Sequence, residues 1–309
     1  MIQWFPGHMH LTRKAIAERI KEIDVVVELL DARLPGSSAN PMLAALTTGK
    51  PALKILNKQD LADATQTSAW LAHYNAQAGT QAFGLDASVS APLSHITRAC
   101  RALAPTRGAM SKPMRVLICG IPNVGKSTLI NTLTARRAAK TGDIAGITRI
   151  TQRIVLADGF YLFDTPGVLW PKIAVAQSGY NLAASGGIGR NAYEDEDVAL
   201  ALLAYLKTHY APLLAARYRL DAAYGGRPDA LALLHDDDLL AAIAAKRVAL
   251  RAGQRVDVQK AAEIVIQDFR TGVLGRVTLE TPAEFGAWLA QSAAAQALKA
   301  AEKPRKKSR

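Results

Sequence analysis

Cysteine is almost missing: Cys100 and Cys119 are the only two in 309 residues. Two thiols cannot staple a disulfide scaffold, and free thiols in a reducing cytosol are the plain reading. No run of about 18 uncharged apolar residues occurs, which excludes a membrane-spanning helix. The start, Met1-Ile2-Gln3-Trp4-Phe5-Pro6-Gly7-His8, lacks a basic stretch followed by an apolar one, so no secretory signal is expected. Acids are also scarce, 26 against 38 basic residues, for a formal charge of +12. The surplus is uneven. Lys299, Lys303, Arg305, Lys306, Lys307 and Arg309 face one acid, Glu302, at the C-terminal end. A basic body with a basic tail favours a polyanionic partner, nucleic acid before anionic membrane. A solvated tail that only aids solubility is the alternative. Half of the residues are hydrophobic and 21% charged, a globular composition, and the length suggests two domains.

Periodicity divides the chain. Residues 10–23 read as a helix, with Ile16, Ile20 and Ile23 at helical spacing. Short strands are expected at 24–31, 51–56, 80–85 and 115–119, with a helix at 68–78. A helix over 126–135 follows a glycine-bearing loop. Two strands, 151–157 and 160–164, flank the turn signal Asp158-Gly159. Strands alternating with helices argue for an α/β domain with a mostly parallel sheet. After about 175, alanine-rich helical periodicity takes over, with helices at 197–210, 236–250 and 258–270. Thr281-Pro282-Ala283-Glu284 is a capping box with proline at the first helical position. The expected division is 1–175 (α/β), 176–290 (a small all-α domain) and 291–309 (basic tail).

Three motifs carry chemistry. Gly120-Ile121-Pro122-Asn123-Val124-Gly125-Lys126-Ser127 fits the phosphate-binding pattern G-x-x-x-x-G-K-[ST], between an expected strand and an expected helix. Its backbone N–H groups would face phosphate oxygens, Lys126 would reach the β- and γ-phosphates, and the Ser127 hydroxyl would bind Mg²⁺. Asp164-Thr165-Pro166-Gly167 ends an apolar strand. Asp164 can hold the Mg²⁺ shell, and the Gly167 N–H can sense the γ-phosphate. Asn57-Lys58-Gln59-Asp60 ends another strand. A carboxylate there accepts paired hydrogen bonds from the guanine edge, which adenine cannot supply, while the Lys58 stem lies on the base. Together the motifs read as a guanine-nucleotide hydrolase.

Their order is unusual. The base motif at 57–60 precedes the phosphate loop at 120–127, which implies a circular permutation that keeps the spatial site while moving the termini. Asp86-Ala87-Ser88 would then supply the backbone contact to guanine O6. The expected nucleotide contacts are Asn57, Lys58, Asp60, Ala87, Ser88, Asn123, Val124, Gly125, Lys126, Ser127, Thr128 and Gly167. The permutation ends the α/β domain just past 164–167, a loop that moves with the γ-phosphate in GTPases. A second domain attached there would feel the nucleotide state.

The permuted order, with Trp4-Phe5-Pro6-Gly7-His8-Met9, Asp31-Ala32-Arg33-Leu34-Pro35 and Asp164-Thr165-Pro166-Gly167-Val168-Leu169-Trp170-Pro171-Lys172, resembles the ribosome biogenesis GTPase A family. The likeness runs through Ser185-Gly186-Gly187-Ile188 and 260–277, covering residues 1–285; the segment past 290 has no counterpart. The resemblance implies a P-loop GTPase acting in late assembly of the bacterial large (50S) ribosomal subunit, in the cytoplasm. It implies contacts to 23S rRNA from both domains and hydrolysis stimulated by the particle, with neither DNA nor stable membrane association expected. Val168 stands where many GTPases carry a water-orienting glutamine. The family's candidate for that task is His8, as base or as water-positioner; binding RNA or capping the following helix is the alternative. Asn123 resembles the residue that holds an activating K⁺ in related GTPases. Thr148 is the expected switch threonine, completing Mg²⁺ and γ-phosphate contacts with Lys126 and His8 as the other catalytic groups. Ala145 replaces the family's proline nearby, which leaves Thr151 open as an alternative. The runner-up function is a GTP-gated RNA-binding module whose hydrolysis is incidental.

Overall fold

Val25–Asp31 is a valine- and leucine-rich run, and it forms β1, buried at every position. Such a strand needs cover on both faces, the situation of a central strand in a parallel sheet. The computed structural model describes residues 2, 9–87, 93–141, 153–157, 159–165, 167, 169–170, 172–220, 228–247 and 257–301. The other strands are β2 (Ala52–Asn57), β3 (Thr80–Leu85), β4 (Met114–Gly120), β5 (Arg153–Ala157) and β6 (Phe160–Asp164). They make one six-stranded sheet in the order β3-β2-β1-β4-β6-β5. All pairs are parallel except the hairpin β5–β6.

Helices cover both faces. Met9–Arg19 (α1) continues into a 3₁₀ turn, Ile20–Glu22. Pro35–Ser38 (α2) and Pro41–Leu46 (α3) follow β1, each opening with proline. Ala64–Asn75 (α4), Leu93–Leu103 (α5) and Lys126–Thr141 (α6) connect the strands. Helix α4 starts before the expected 68 because Asp63 caps it, accepting from Thr65 N and Gln66 N at 2.8 and 3.0 Å. The short helices α2 and α3, and α5, have no counterpart among the expected elements.

Past the sheet come Ala176–Ser185 (α7), Asp195–His209 (α8), Ala211–Tyr218 (α9), Asp236–Arg247 (α10), Val258–Thr271 (α11) and Pro282–Ala301 (α12). Helices α7, α10 and α11 pack on α8. The capping box forms in both directions: Thr281 N donates to Glu284 Oε2 at 2.8 Å, and Glu284 N to Thr281 Oγ1 at 3.1 Å. Asp236, Asp237 and Asp238 open α10, where acids suit the helix dipole.

The largest hydrophobic cluster is continuous across the two parts. It runs from Val27, Leu29 and Ile118 in the sheet through Ile121 and Leu182 to Leu203, Ile243 and Phe269 among the helices. On the opposite sheet face Ile16 and Ile23 cover Val26, Leu117, Cys119 and Phe163. Cys100 and Cys119 are both buried, and burial pushes the Cys100 thiol up to about 12 and that of Cys119 higher still.

Candidate active site

The strand registers put the motifs level. Asp31 pairs with Asn57, Leu29 with Gly120 and Ile118 with Asp164, so β2, β1, β4 and β6 end together at their C-terminal edge. The chain runs outward from β1 to β3 and then returns to β4 on the other side of β1. A reversal of this kind opens a crevice at the carboxyl ends of the strands, where open α/β sheets bind ligands. The three motifs, scattered in sequence, converge there.

Asn57 joins the base motif to the phosphate loop. Its Nδ2 donates to Val124 O at 2.8 Å, and its Oδ1 accepts from Ala87 N at 2.9 Å. The Ala87 N–H is thus committed to Asn57; Ser88 lies outside the described residues. Gly125 adopts φ +97° beside this amide, and a Cβ there would collide with Asn57. Lys58 sits in the left-handed region at φ 61°. Its Nζ donates to Asn123 O at 2.9 Å and to Asp31 Oδ2 at 3.0 Å. Asp60 follows in the 3₁₀ turn Gln59–Leu61, on the same strand end.

The phosphate loop leaves β4 at Gly120 and enters α6 at Lys126. Asn123 takes φ 58° at its turn, and Ser127 and Thr128 are exposed in the first turn of α6. Lys126 Nζ donates to Asp164 Oδ1 at 2.6 Å, both side chains nearly buried. The phosphate-loop lysine and the acid that ends β6 therefore neutralise each other where the motifs meet. Thr165 Oγ1 donates to Ile118 O at 2.9 Å and pins that loop to β4. A Cβ on Gly167 would stand 3.0 Å from the Pro122 backbone, so a larger residue would push the two loops apart by a few tenths of an ångström. The oxygens of Ser127 and Asp164 are hard donors of the kind Mg²⁺ takes alongside phosphate and water. His8, Thr148, Thr151 and Val168 lie outside the described residues.

Sequence reasoning passed over two further groups here. Asp31 and Arg33 were noted only within a family motif. The structure buries both beside Lys58, with Arg33 Nε and Nη2 donating to the two Asp31 oxygens at 2.9 and 2.8 Å. Burial pushes the Asp31 carboxyl up, but Arg33 and then Lys58 outweigh it and hold the acid well below the usual carboxylate range. Asn123 was singled out for a cation, and its Nδ2 donates to Gly186 O at 2.8 Å, at the C-terminal cap of α7. His95 stacks on Phe83 and His209 on Tyr205, away from these strand ends.

Comparison with known proteins agrees with this geometry. Residues 115–217 match the family model described as a 50S ribosome-binding GTPase. Ribosome biogenesis GTPase A of Bacillus cereus is 41% identical, over 93% of this chain and 96% of that protein. Its Priestia megaterium counterpart is 40% identical, over 92% and 98%. Among solved structures, a GDP-bound structure of TM YlqF superposes with a TM-score of 0.60 at 24% identity, covering 87% of this chain and 99% of that one. That likeness supports the permuted P-loop fold, and the sequence identities carry the relationship: the chain is a GTPase and belongs to the ribosome biogenesis GTPase A family.

Proposed function

We propose that this GTPase is an assembly factor for the late maturation of the large (50S) ribosomal subunit. It binds 23S rRNA when loaded with GTP, and the particle stimulates hydrolysis. The observation that carries this reading is the joint between site and helices. Asn123 of the phosphate loop is hydrogen-bonded to Gly186 of the helical part, so a surface engaged by the helices has a direct line to the nucleotide. The +12 charge suits an RNA partner. Among the described residues no single helix is long and apolar enough to cross a membrane, and we place the protein in the cytoplasm.

In this reading Asn57 shapes the guanine pocket, Asp60 accepts from the base edge and Lys58 covers its face. Ala87 and Ser88 border the base. The backbone of Asn123, Val124 and Gly125, with Thr128, surrounds the phosphates, and Gly167 senses the last of them. Lys126 exchanges Asp164 for the β- and γ-phosphate oxygens. Ser127, Asp164 and Thr148 hold Mg²⁺, which supplies charge neutralisation at the β- and γ-phosphates when bound. A K⁺ at Asn123 would take Oδ1, since Nδ2 is donated to Gly186. His8 orients the attacking water or accepts its proton, in place of a glutamine. The GTPase domain, residues 1–175, and the helical domain, residues 176–290, both provide RNA contacts.

The test is steady-state GTP hydrolysis with Mg²⁺ and K⁺, for the protein alone, with large subunits and with small subunits. Alone, turnover is expected on the order of once per many minutes, as for unassisted GTPases. Strong stimulation by large subunits only, lost in His8→Ala, is the expected result. Equal or absent stimulation by both subunits overturns the large-subunit reading and leaves the nucleotide site standing.

A further inference from the structure

Arg33 is buried to 1% exposure and makes two sets of bonds that face opposite ways. Toward the sheet, its fork grips both oxygens of Asp31, and Asp31 Oδ2 receives Lys58 Nζ at 3.0 Å. Toward the helices, its Nη1 donates to Phe269 O and Arg270 O at 3.1 and 3.3 Å, two carbonyls in the last turn of α11. Phe269 O also accepts from Gly272 N at 3.3 Å, and both carbonyls carry the negative dipole end of the helix, so a guanidinium is favoured there. The Arg33 guanidinium also lies 4.7 Å from the Phe269 ring centre.

The bonds continue into a closed circuit. Arg270 Nε and Nη2 donate to Ala184 O and Ala183 O at 2.8 and 2.7 Å. Gly186 follows in the same cap and receives Asn123 Nδ2, while Asn123 O receives Lys58 Nζ. The base motif is braced again just beyond, where Arg276 Nη2 donates to Gln59 O at 3.1 Å and Val277 N to Leu61 O at 3.0 Å. Lys58 is thus a shared member of two bonds, one to the phosphate loop and one to an acid whose position Arg33 sets.

We infer that Arg33 is a positioning residue for nucleotide binding: fastened to the end of α11, it holds Asp31, and through Asp31 the Lys58 ammonium, so the seat of the helical part sets affinity for guanine nucleotide. The inference rests on the proposed role of Lys58 at the base, and not on the ribosomal reading. A bulk structural role for Arg33 would lower stability without acting through Lys58. A positioning role makes the two residues non-additive.

The experiment is calorimetric titration of GDP into the full chain for the parent, Arg33→Lys, Lys58→Met and the double variant, with a thermal melt of each. Lysine keeps the charge but cannot bridge a carboxylate and two carbonyls at once. Arg33→Lys and Lys58→Met are each expected to weaken GDP binding about tenfold. The double variant is expected to bind no worse than Lys58→Met. If the two losses multiply, or if Arg33→Lys binds GDP like the parent, Arg33 is not a positioning residue. If Lys58→Met alone binds like the parent, the base-site reading fails and the inference falls with it. Should Arg33→Lys lose its cooperative melt, Phe269→Leu replaces it, with a loss of about threefold that must vanish in the Lys58→Met background.

Discussion

In the proposed site, Asp60 serves base recognition and Lys126 phosphate recognition, and two variants separate them. Asp60→Ala removes the carboxylate proposed to accept from the guanine edge and leaves the phosphate loop untouched. GTP should bind at least about tenfold more weakly and ATP no differently, which narrows the preference for guanine. With Lys126→Ala, both nucleotides should lose affinity alike, and Asp164 would be left nearly buried without its 2.6 Å partner. Competition binding of GTP against ATP for the two variants reads both outcomes. At this scale the motif residues were legible because each combines a rare residue type with a fixed spacing. Arg33 was not, because its partners Phe269 and Arg270 lie 236 and 237 positions away. No local pattern encodes such a contact.

At the scale of elements, strands were read well and short helices poorly. The apolar runs that became β1, β2, β3 and β4 each end within a residue or two of their expected bounds. Helices α2 and α3 have only four and six residues, too few to display a helical period. Helix α4 was placed late because Asp63 was not recognised as its cap. Asp63→Ala removes a side chain that accepts from two backbone N–H groups and should cost about 1 kcal/mol. Denaturant unfolding would register it as a lower midpoint with an unchanged slope. An unchanged midpoint would mean that the first turn of α4 is held by packing alone.

At the scale of the whole molecule, a buried polar knot joins the two parts. Glu280 is fully buried and accepts from Ser37 N at 2.7 Å and Asn181 Nδ2 at 3.1 Å, as well as from the Ser37 hydroxyl. Burial outweighs these bonds and pushes its carboxyl from an ordinary 4.5 up to about 7. The folded chain therefore retains a proton there that the unfolded chain has released. The stabilisation is full below 4.5 and is lost as pH rises through about 7. Glu280→Gln removes this dependence. Its stability relative to the parent should rise on the order of a few kcal/mol between acid and mildly alkaline pH. Melts of both proteins across that range test it, and parallel curves would rule out a raised Glu280.

Composition, the phosphate-loop spacing and the permuted order of three motifs were enough to define a P-loop GTPase with a mostly parallel sheet and a helical partner. These are local properties: strand and helix periods, glycine-bearing turns, a Lys-Ser pair at the start of a helix. The tertiary structure decided which strand ends stand level, that Asn57 ties Val124 to Ala87, and that Arg33 and Glu280 form the joints between sheet and helices. A buried charge is stable only beside its partner. Asp31 is local to Arg33, but the Phe269 carbonyl lies 236 residues from Arg33 and Glu280 lies 243 from Ser37, and only the folded chain brings these together.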